Sequence, residues 1–164
     1  MNTIEQYIRD IQDFPKEGIL YRDIQPLLQD SAAFYDAIYA MGELIDMEKV
    51  DYFVGIESRG FIFAAALAAI NLKGFKMIRK AGKLPDRGAA LCRTEYDLEY
   101  GSDVIEMESG WGNVVLVDDV YATGGTMKAA EELASFAGYQ VIDSICLLDI
   151  GIVKGHKTKF LLGY

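Results

Sequence analysis

Residues 113–138, NVVLVDDVYATGGTMKAAEELASFAG, leave the chain few architectures to choose from. An apolar run ends on two adjacent aspartates, and a Thr-Gly-Gly-Thr turn follows at once. Residues 126–137 then place Met127, Ala130, Leu133, Ala134 and Ala137 on one helical face, and Gly138 suits the helix end. A buried strand that runs directly into an amphipathic helix is the repeating unit of an α/β fold. The pattern recurs upstream. VDYFVGIE (50–57) reads as a buried strand, Ser58-Arg59-Gly60 as a turn, FIFAAALAAINL (61–72) as a helix and GFKMIRK (74–80) as a strand. QVIDSICLLDI (140–150) supplies a further strand, with only a short tail after it. Alternating strands and helices predict right-handed crossovers and a parallel sheet with helices on both faces. In such sheets ligands bind outside the carboxyl ends of the strands, where both unusual turns, 57–60 and 118–126, fall.

The remaining segments are less regular. Ile4, Tyr7, Ile8 and Ile11 share a helical face, so residues 2–12 are expected to be helical. FPKEGILYRDIQPLL, broken by Pro15, Gly18 and Pro26, reads as irregular. Residues 31–47 read as a helix with Ser31 at its N-cap. Residues 81–95 carry Gly, Pro and charges in no period and are expected to form a mobile loop. YDLEY and SDVIEME alternate as a hairpin would.

At 164 residues, half of them apolar, the chain suits one domain with a real core. A net charge of −9 argues against a nucleic-acid or anionic-membrane partner, which calls for a basic face. It leaves room for a local basic pocket. Cys92, Cys146 and the single His156 are not spaced as a zinc site. The first thirty residues carry charges throughout, and no stretch reaches the roughly 18 apolar residues of a membrane span. The expected address is the cytoplasm, with both thiols reduced.

The turn at 118–126 has a definite chemistry. A helix N-terminus presents free N–H groups and about half a unit of positive charge. Gly124 and Gly125 allow close backbone approach, and Thr123 and Thr126 add hydroxyl donors, a combination suited to phosphate. The same residues also describe a plain capped helix with Thr126 as N-cap. Neither the Lys-Ser/Thr of a Walker loop nor the Rossmann glycine fingerprint is present. Asp118 and Asp119 would repel each other if buried, unless they accept hydrogen bonds from a diol or face a hard cation. Solvated loop aspartates are the alternative. Arg59, beside a strand end, suits oxygen-rich anions, or else is a surface charge.

VVLVDDVYATGGT resembles the phosphoribosyl-diphosphate-binding motif of the type I phosphoribosyltransferases. FPKEGILYRDIQPLL, VGIESRGFIFAAALA, IRKAGKLP and YDLEYG follow the order of hallmarks in the adenine-specific branch of that family, over roughly residues 8–150. The resemblance implies one phosphoribosyltransferase domain over 1–164. Its mostly parallel sheet is flanked by helices, with an N-terminal hood mainly at 1–30 and a mobile loop at about 81–101. It implies transfer of ribose 5-phosphate from phosphoribosyl diphosphate to adenine, giving AMP and pyrophosphate, as in purine salvage by cytoplasmic homodimers.

By that resemblance, Ala122, Thr123, Gly124, Gly125 and Thr126 cradle the 5-phosphate and Asp118 and Asp119 hold the ribose hydroxyls. Ser58-Arg59-Gly60 matches the pyrophosphate loop, in which some relatives carry a non-proline cis bond. Arg79, Lys80 and Lys83 add positive charge, and Lys83 is similar to a mobile-loop lysine. Glu99 corresponds to a proton-handling carboxylate, and Tyr100 belongs to the same flap. Leu20, Arg22 and Val120 are the candidates for adenine contact, mostly through main-chain groups. Mg²⁺ is implied, held mainly through the substrate, with Asp118 the candidate protein ligand. Arg59, Lys83 and Glu99 are the expected catalytic residues. The chain departs from the family at Val120-Tyr121, where two leucines are common, and at Ala81, commonly proline. A transferase for another purine and a purine-sensing regulator are the rival readings.

Overall fold

The structure is a computed structural model that describes residues 3–85, 90–98 and 101–164. The chain divides into two compact units, 1–40 and 41–164.

In the first unit a 3-10 helix spans Ile4–Tyr7, and β1 (Arg9–Ile11) pairs antiparallel with β2 (Tyr21–Asp23). This corrects the helix expected over 2–12 and adds a strand to a segment read as irregular. The reason lies across the ladder. Arg9 opposes Asp23 and Asp10 opposes Arg22, and each opposed pair forms an ion pair. Local spacing cannot register contacts that form only when two strands meet. A short helix, α1 (Gln25–Gln29), follows, with Pro26 in its first turn. Next comes α2 (Ser31–Gly42), which runs across the division and ends before the expected residue 47. Its cap is Asp30 rather than Ser31: Asp30 Oδ1 accepts the N–H groups of Ala32 (3.1 Å) and Ala33 (2.9 Å).

The second unit is built on a seven-stranded sheet. Its strands are β3 (Tyr52–Ile56), β4 (Gly74–Lys80), β5 (Leu91–Leu98), β6 (Gly101–Glu108), β7 (Asn113–Tyr121), β8 (Gln140–Asp149) and β9 (Lys159–Gly163). Their order is β5-β6-β4-β3-β7-β8-β9. The run from β4 to β9 is parallel, while β6 joins β4 and β5 antiparallel. The expected hairpin is therefore present and longer than its alternating core. Its first strand takes in residues 91–95, part of the stretch expected to be a loop. β9, within the short tail after β8, is a strand the sequence did not reveal.

Helices α3 (Gly60–Ile70) and α4 (Gly125–Phe136) cover opposite faces. Val54, Ile56, Val114 and Leu116 alternate onto one face and pack with Met127, Ala130, Leu133 and Ala134. On the other face Gly55 lies beneath α3, where an added Cβ would come 3.0 Å from Phe61. The inward helix positions expected of 126–137 are all buried. Gly138, at φ +98°, ends the helix with its N–H on Ser135 O.

Candidate active site

The chain leaves β3 through α3 to β4 on one side, whereas β7 adds to the other side of β3. Beyond the carboxyl ends of β3 and β7 the crossovers diverge, and that divergence opens a crevice. Gly55 is level with Val117 in the ladder, so the turn after Ile56 and the Asp118-Asp119 pair arrive side by side.

Gly60 makes this approach possible. A Cβ there would lie 2.6 Å from Val117 O and 3.1 Å from Asp118 Oδ1. Only glycine lets the start of α3 press onto the end of β7. The peptide between Glu57 and Ser58 is cis, as the resemblance suggested for this loop. Arg59 reaches across to Asp119, its Nε 2.8 Å from Oδ2. It is thus no free surface charge. Oδ2 is buried, and the pair is held by charge rather than by a well-aligned hydrogen bond.

Asp119 is buried and Asp118 partly so, which rules out two freely solvated loop acids. Asp118 Oδ1 accepts the Asp119 N–H at 2.9 Å. Burial pushes both carboxyls up. Asp118 stands well above the usual range, with the neighbouring Asp119 charge adding to the effect. Arg59 pulls both the other way. Such a pair prefers a proton, a cation or a set of hydroxyl donors.

After Asp119, β7 continues to Tyr121, two residues beyond the expected strand. Ala122, Thr123, Gly124 and Thr126 line a small concavity with Asp118, Val120, Tyr121 and Met127. Gly124 occupies the left-handed region at φ +82° and caps α4, without a side-chain cap hydrogen bond. Thr126 is therefore inside the helix rather than its N-cap. The first N–H groups of a twelve-residue helix open here, the arrangement suited to an anion.

The basic cluster is in place but already partnered. Lys83 Nζ lies 2.9 Å from Glu57 Oε1, and Arg79 Nε lies 3.4 Å from Glu57 Oε2. Lys80 Nζ lies 2.9 Å from Asp103. Burial alone would raise the Glu57 carboxyl, yet Lys83, the Lys80 N–H and Arg79 together hold it below its ordinary value. Sequence reasoning missed Glu57 and Asp103, and also Glu106. Fully buried, Glu106 accepts the N–H groups of Lys83 (2.9 Å) and Leu84 (2.8 Å) and Nε of Arg93 (3.0 Å). Tyr96 of β5 was missed as well. Burial raises its phenol against the pull of the Thr126 side chain, and its ring packs against the core cluster that holds Tyr121 and Met127. Of the remaining expected residues, Leu20 and Arg22 belong to the first unit, where Arg22 pairs with Asp10. Glu99 and Tyr100 lie outside the described residues.

The family of the phosphoribosyl transferase domain matches residues 25–161. The chain belongs to that family. It is 49% identical over 151 residues to the adenine phosphoribosyltransferase of Hydrogenovibrio crunogenus, covering 91% of this chain and 86% of that one. The crystal structure of adenine phosphoribosyltransferase from Thermoanaerobacter pseudethanolicus superposes with a TM-score of 0.89 at 37% identity, over 98% of both chains. The Saccharomyces cerevisiae adenine phosphoribosyltransferase, complexed with adenine and an imino-altritol bisphosphate, gives 0.87 at 32% identity, covering 97% of this chain and 95% of that one. The family fold accounts for the mostly parallel sheet.

Proposed function

We propose that this protein transfers ribose 5-phosphate from phosphoribosyl diphosphate to adenine, releasing pyrophosphate and forming AMP. One observation carries the reading. At the carboxyl ends of two adjacent parallel strands, the turn at 122–126 and the Ser58-Arg59-Gly60 turn flank the Asp118-Asp119 pair, whose buried member, Asp119, is held by Arg59. An anion at each end with a diol between them is the shape of phosphoribosyl diphosphate.

Each residue then has a task. Main-chain N–H groups of 122–126 bind the 5-phosphate. Asp118 and Asp119 accept the ribose hydroxyls and favour positive charge developing on the sugar ring. Arg59 shares its charge between Asp119 and the departing pyrophosphate, and Lys83 with Arg79 and Lys80 reinforces it. Glu99 accepts the adenine proton as N9 attacks with inversion. That assignment rests on the family resemblance alone, as do those of Tyr100, Leu20, Arg22 and Val120. Holding the parts in line and excluding water supply most of the rate.

Mg²⁺ fits this site as a companion of the substrate. Among the described residues no three His, Cys, Asp or Glu side chains are grouped to hold a metal. Asp118, driven toward neutrality by burial and Asp119, is the carboxylate that a cation would relieve. When bound, the ion neutralises the pyrophosphate leaving group. We further propose a cytoplasmic homodimer serving purine salvage. The exposed apolar side chains Ile62, Phe75 and Met77 support the dimer. The deciding experiment mixes the protein, phosphoribosyl diphosphate and Mg²⁺ with adenine, hypoxanthine and guanine in turn. Pyrophosphate and AMP with adenine are expected; release with another base only would reject the adenine assignment.

A further inference from the structure

A polar cluster that the proposed reaction does not use sits at the ends of β7 and β8. Tyr121, the last residue of β7, stands level with Asp149, the last of β8. Its ring stacks on the imidazole of His156, with centroids 3.9 Å apart and planes inclined by 29°. His156 Nε2 lies 3.1 Å from Asp149 Oδ2, and a carboxylate can only accept, so Nε2 carries the proton. Asp149 is pinned in turn. Its Oδ1 accepts the Gly151 N–H at 2.9 Å, its carbonyl accepts the Tyr164 N–H at 2.9 Å, and Ile150 N–H binds Tyr121 O at 3.1 Å. An imidazole from the loop before β9, tied to the end of β8, thus covers the phenol ring at the end of β7.

The far end of that ring meets the phosphate turn. A Cβ built on Gly124 would lie 2.9 Å from Tyr121 Cζ and closer still to the hydroxyl. The hydroxyl therefore fills the space on one side of Gly124, while the Gly124 carbonyl accepts the Lys128 N–H at 2.9 Å. Left-handed glycine is the most mobile residue in a turn, because it has the most conformations to lose. Here it is stopped on one side by an aromatic ring that is itself backed by a stacked imidazole.

We propose that Tyr121, braced by His156 and Asp149, is a positioning residue that holds the turn at 122–126 in its phosphate-receiving shape before substrate arrives. The inference rests on the phosphoribosyl reading of that turn. Preorganisation of this kind acts on phosphate affinity: without the brace, binding must first order the turn. It leaves the base and the proton-handling groups untouched.

The test compares wild type with Tyr121→Phe, which removes only the hydroxyl against Gly124, and His156→Leu, which removes the stacked imidazole and its link to Asp149. Dissociation constants for ribose 5-phosphate are measured by calorimetry, beside KM for phosphoribosyl diphosphate, KM for adenine, kcat and melting temperature. Both variants are expected to weaken ribose 5-phosphate binding and raise KM for phosphoribosyl diphosphate about three- to ten-fold. Adenine KM and kcat should stay within two-fold. A purely structural role would instead lower the melting temperature and the active fraction, with unchanged constants in the molecules that remain folded, and that result overturns the proposal. Unchanged ribose 5-phosphate affinity in both folded variants overturns it equally. A wild type that binds ribose 5-phosphate but makes no AMP refutes the adenine reading while leaving the brace testable by affinity. A wild type that does not bind it refutes both.

Discussion

Replacing Asp118 by Asn should make the protein more stable and much less active. The side chain it changes is partly buried beside a second, buried acid, and burial together with Asp119 drives its carboxyl well above the usual range. Two like charges ~5 Å apart in an effective dielectric of ~20 repel by about 3 kcal/mol. Arg59, 2.8 Å from Asp119, offsets part of that, so a net gain of roughly 1–2 kcal/mol is expected on neutralising one acid. The amide of the variant would still offer an oxygen to the Asp119 N–H, so the turn keeps its hydrogen bond. For a domain of this size ~1 kcal/mol moves the melting temperature by about 2–4 °C, giving a rise of roughly 2–8 °C at pH 7. Turnover should fall about 10²- to 10³-fold if, as proposed, this acid stabilises the developing sugar cation. The sign of the pH effect follows from the raised carboxyl. The folded state binds the proton more tightly than the unfolded chain, so wild-type stability falls as pH rises from the ordinary carboxylate range through the raised value. That slope should shrink in the variant. Scanning calorimetry from pH 4 to 8 with a pyrophosphate-release assay measures both arms. A variant that melts lower than wild type at pH 7 with native circular dichroism, or that keeps full turnover, would refute the electrostatic argument.

Glu106→Gln should cost about 1–3 kcal/mol, since the carboxylate's paired acceptance of Lys83, Leu84 and Arg93 cannot be reproduced by an amide; a melting curve unchanged within 1 °C would contradict this. The wild-type residue also predicts an acid limb. Burial would raise its carboxyl, but hydrogen bonds from Leu84, Arg93, Gly82 and Lys83 hold it below the ordinary value. Its stabilisation is therefore complete above the ordinary glutamate range and lost as pH falls through the depressed value, a limb absent in Glu106→Gln. Gly60→Ala must push α3 off the end of β7, where the new Cβ would stand 2.6 Å from Val117 O; a loss of about 1–3 kcal/mol and a raised KM for phosphoribosyl diphosphate are expected by denaturant titration and kinetics. Chelation of Mg²⁺ by EDTA should abolish pyrophosphate release reversibly without moving the melting temperature of the protein measured without substrate.

Where structure is decided within a few residues, the sequence could be read. The buried runs of β3, β7 and β8 and the helices behind the first two announce themselves by period and by their glycines. Structure decided across strands could not be read in this way. β1 looked helical because Ile4, Tyr7, Ile8 and Ile11 fit a 3.6 period, yet its identity depends on Asp23 and Arg22, more than ten residues away. β9 is a short edge strand whose only warrant is the open side of β8. Ser31 has a capping hydroxyl, but the Asp30 carboxylate one residue earlier reaches two N–H groups at once.

The same division runs through the candidate site and explains how so acidic a chain can offer an anion pocket. The recognisable parts, DDVYATGG and SRG, are contiguous runs whose proposed contacts come from adjacent backbone. The parts that set the charge are dispersed. Arg59 is partnered by Asp119, Arg79 and Lys83 by Glu57, and Lys80 by Asp103, each across a gap that only the sheet closes. Every cation assigned to the pyrophosphate thus has a carboxylate partner in the fold. Binding an oxyanion exchanges one acceptor for another instead of filling a field of unpaired positive charge. Such an exchange costs the folded protein no like-charge repulsion among its lysines and arginines. It also makes the carboxylates part of the anion site, in positions where a sequence reading in search of phosphate ligands would look only for bases.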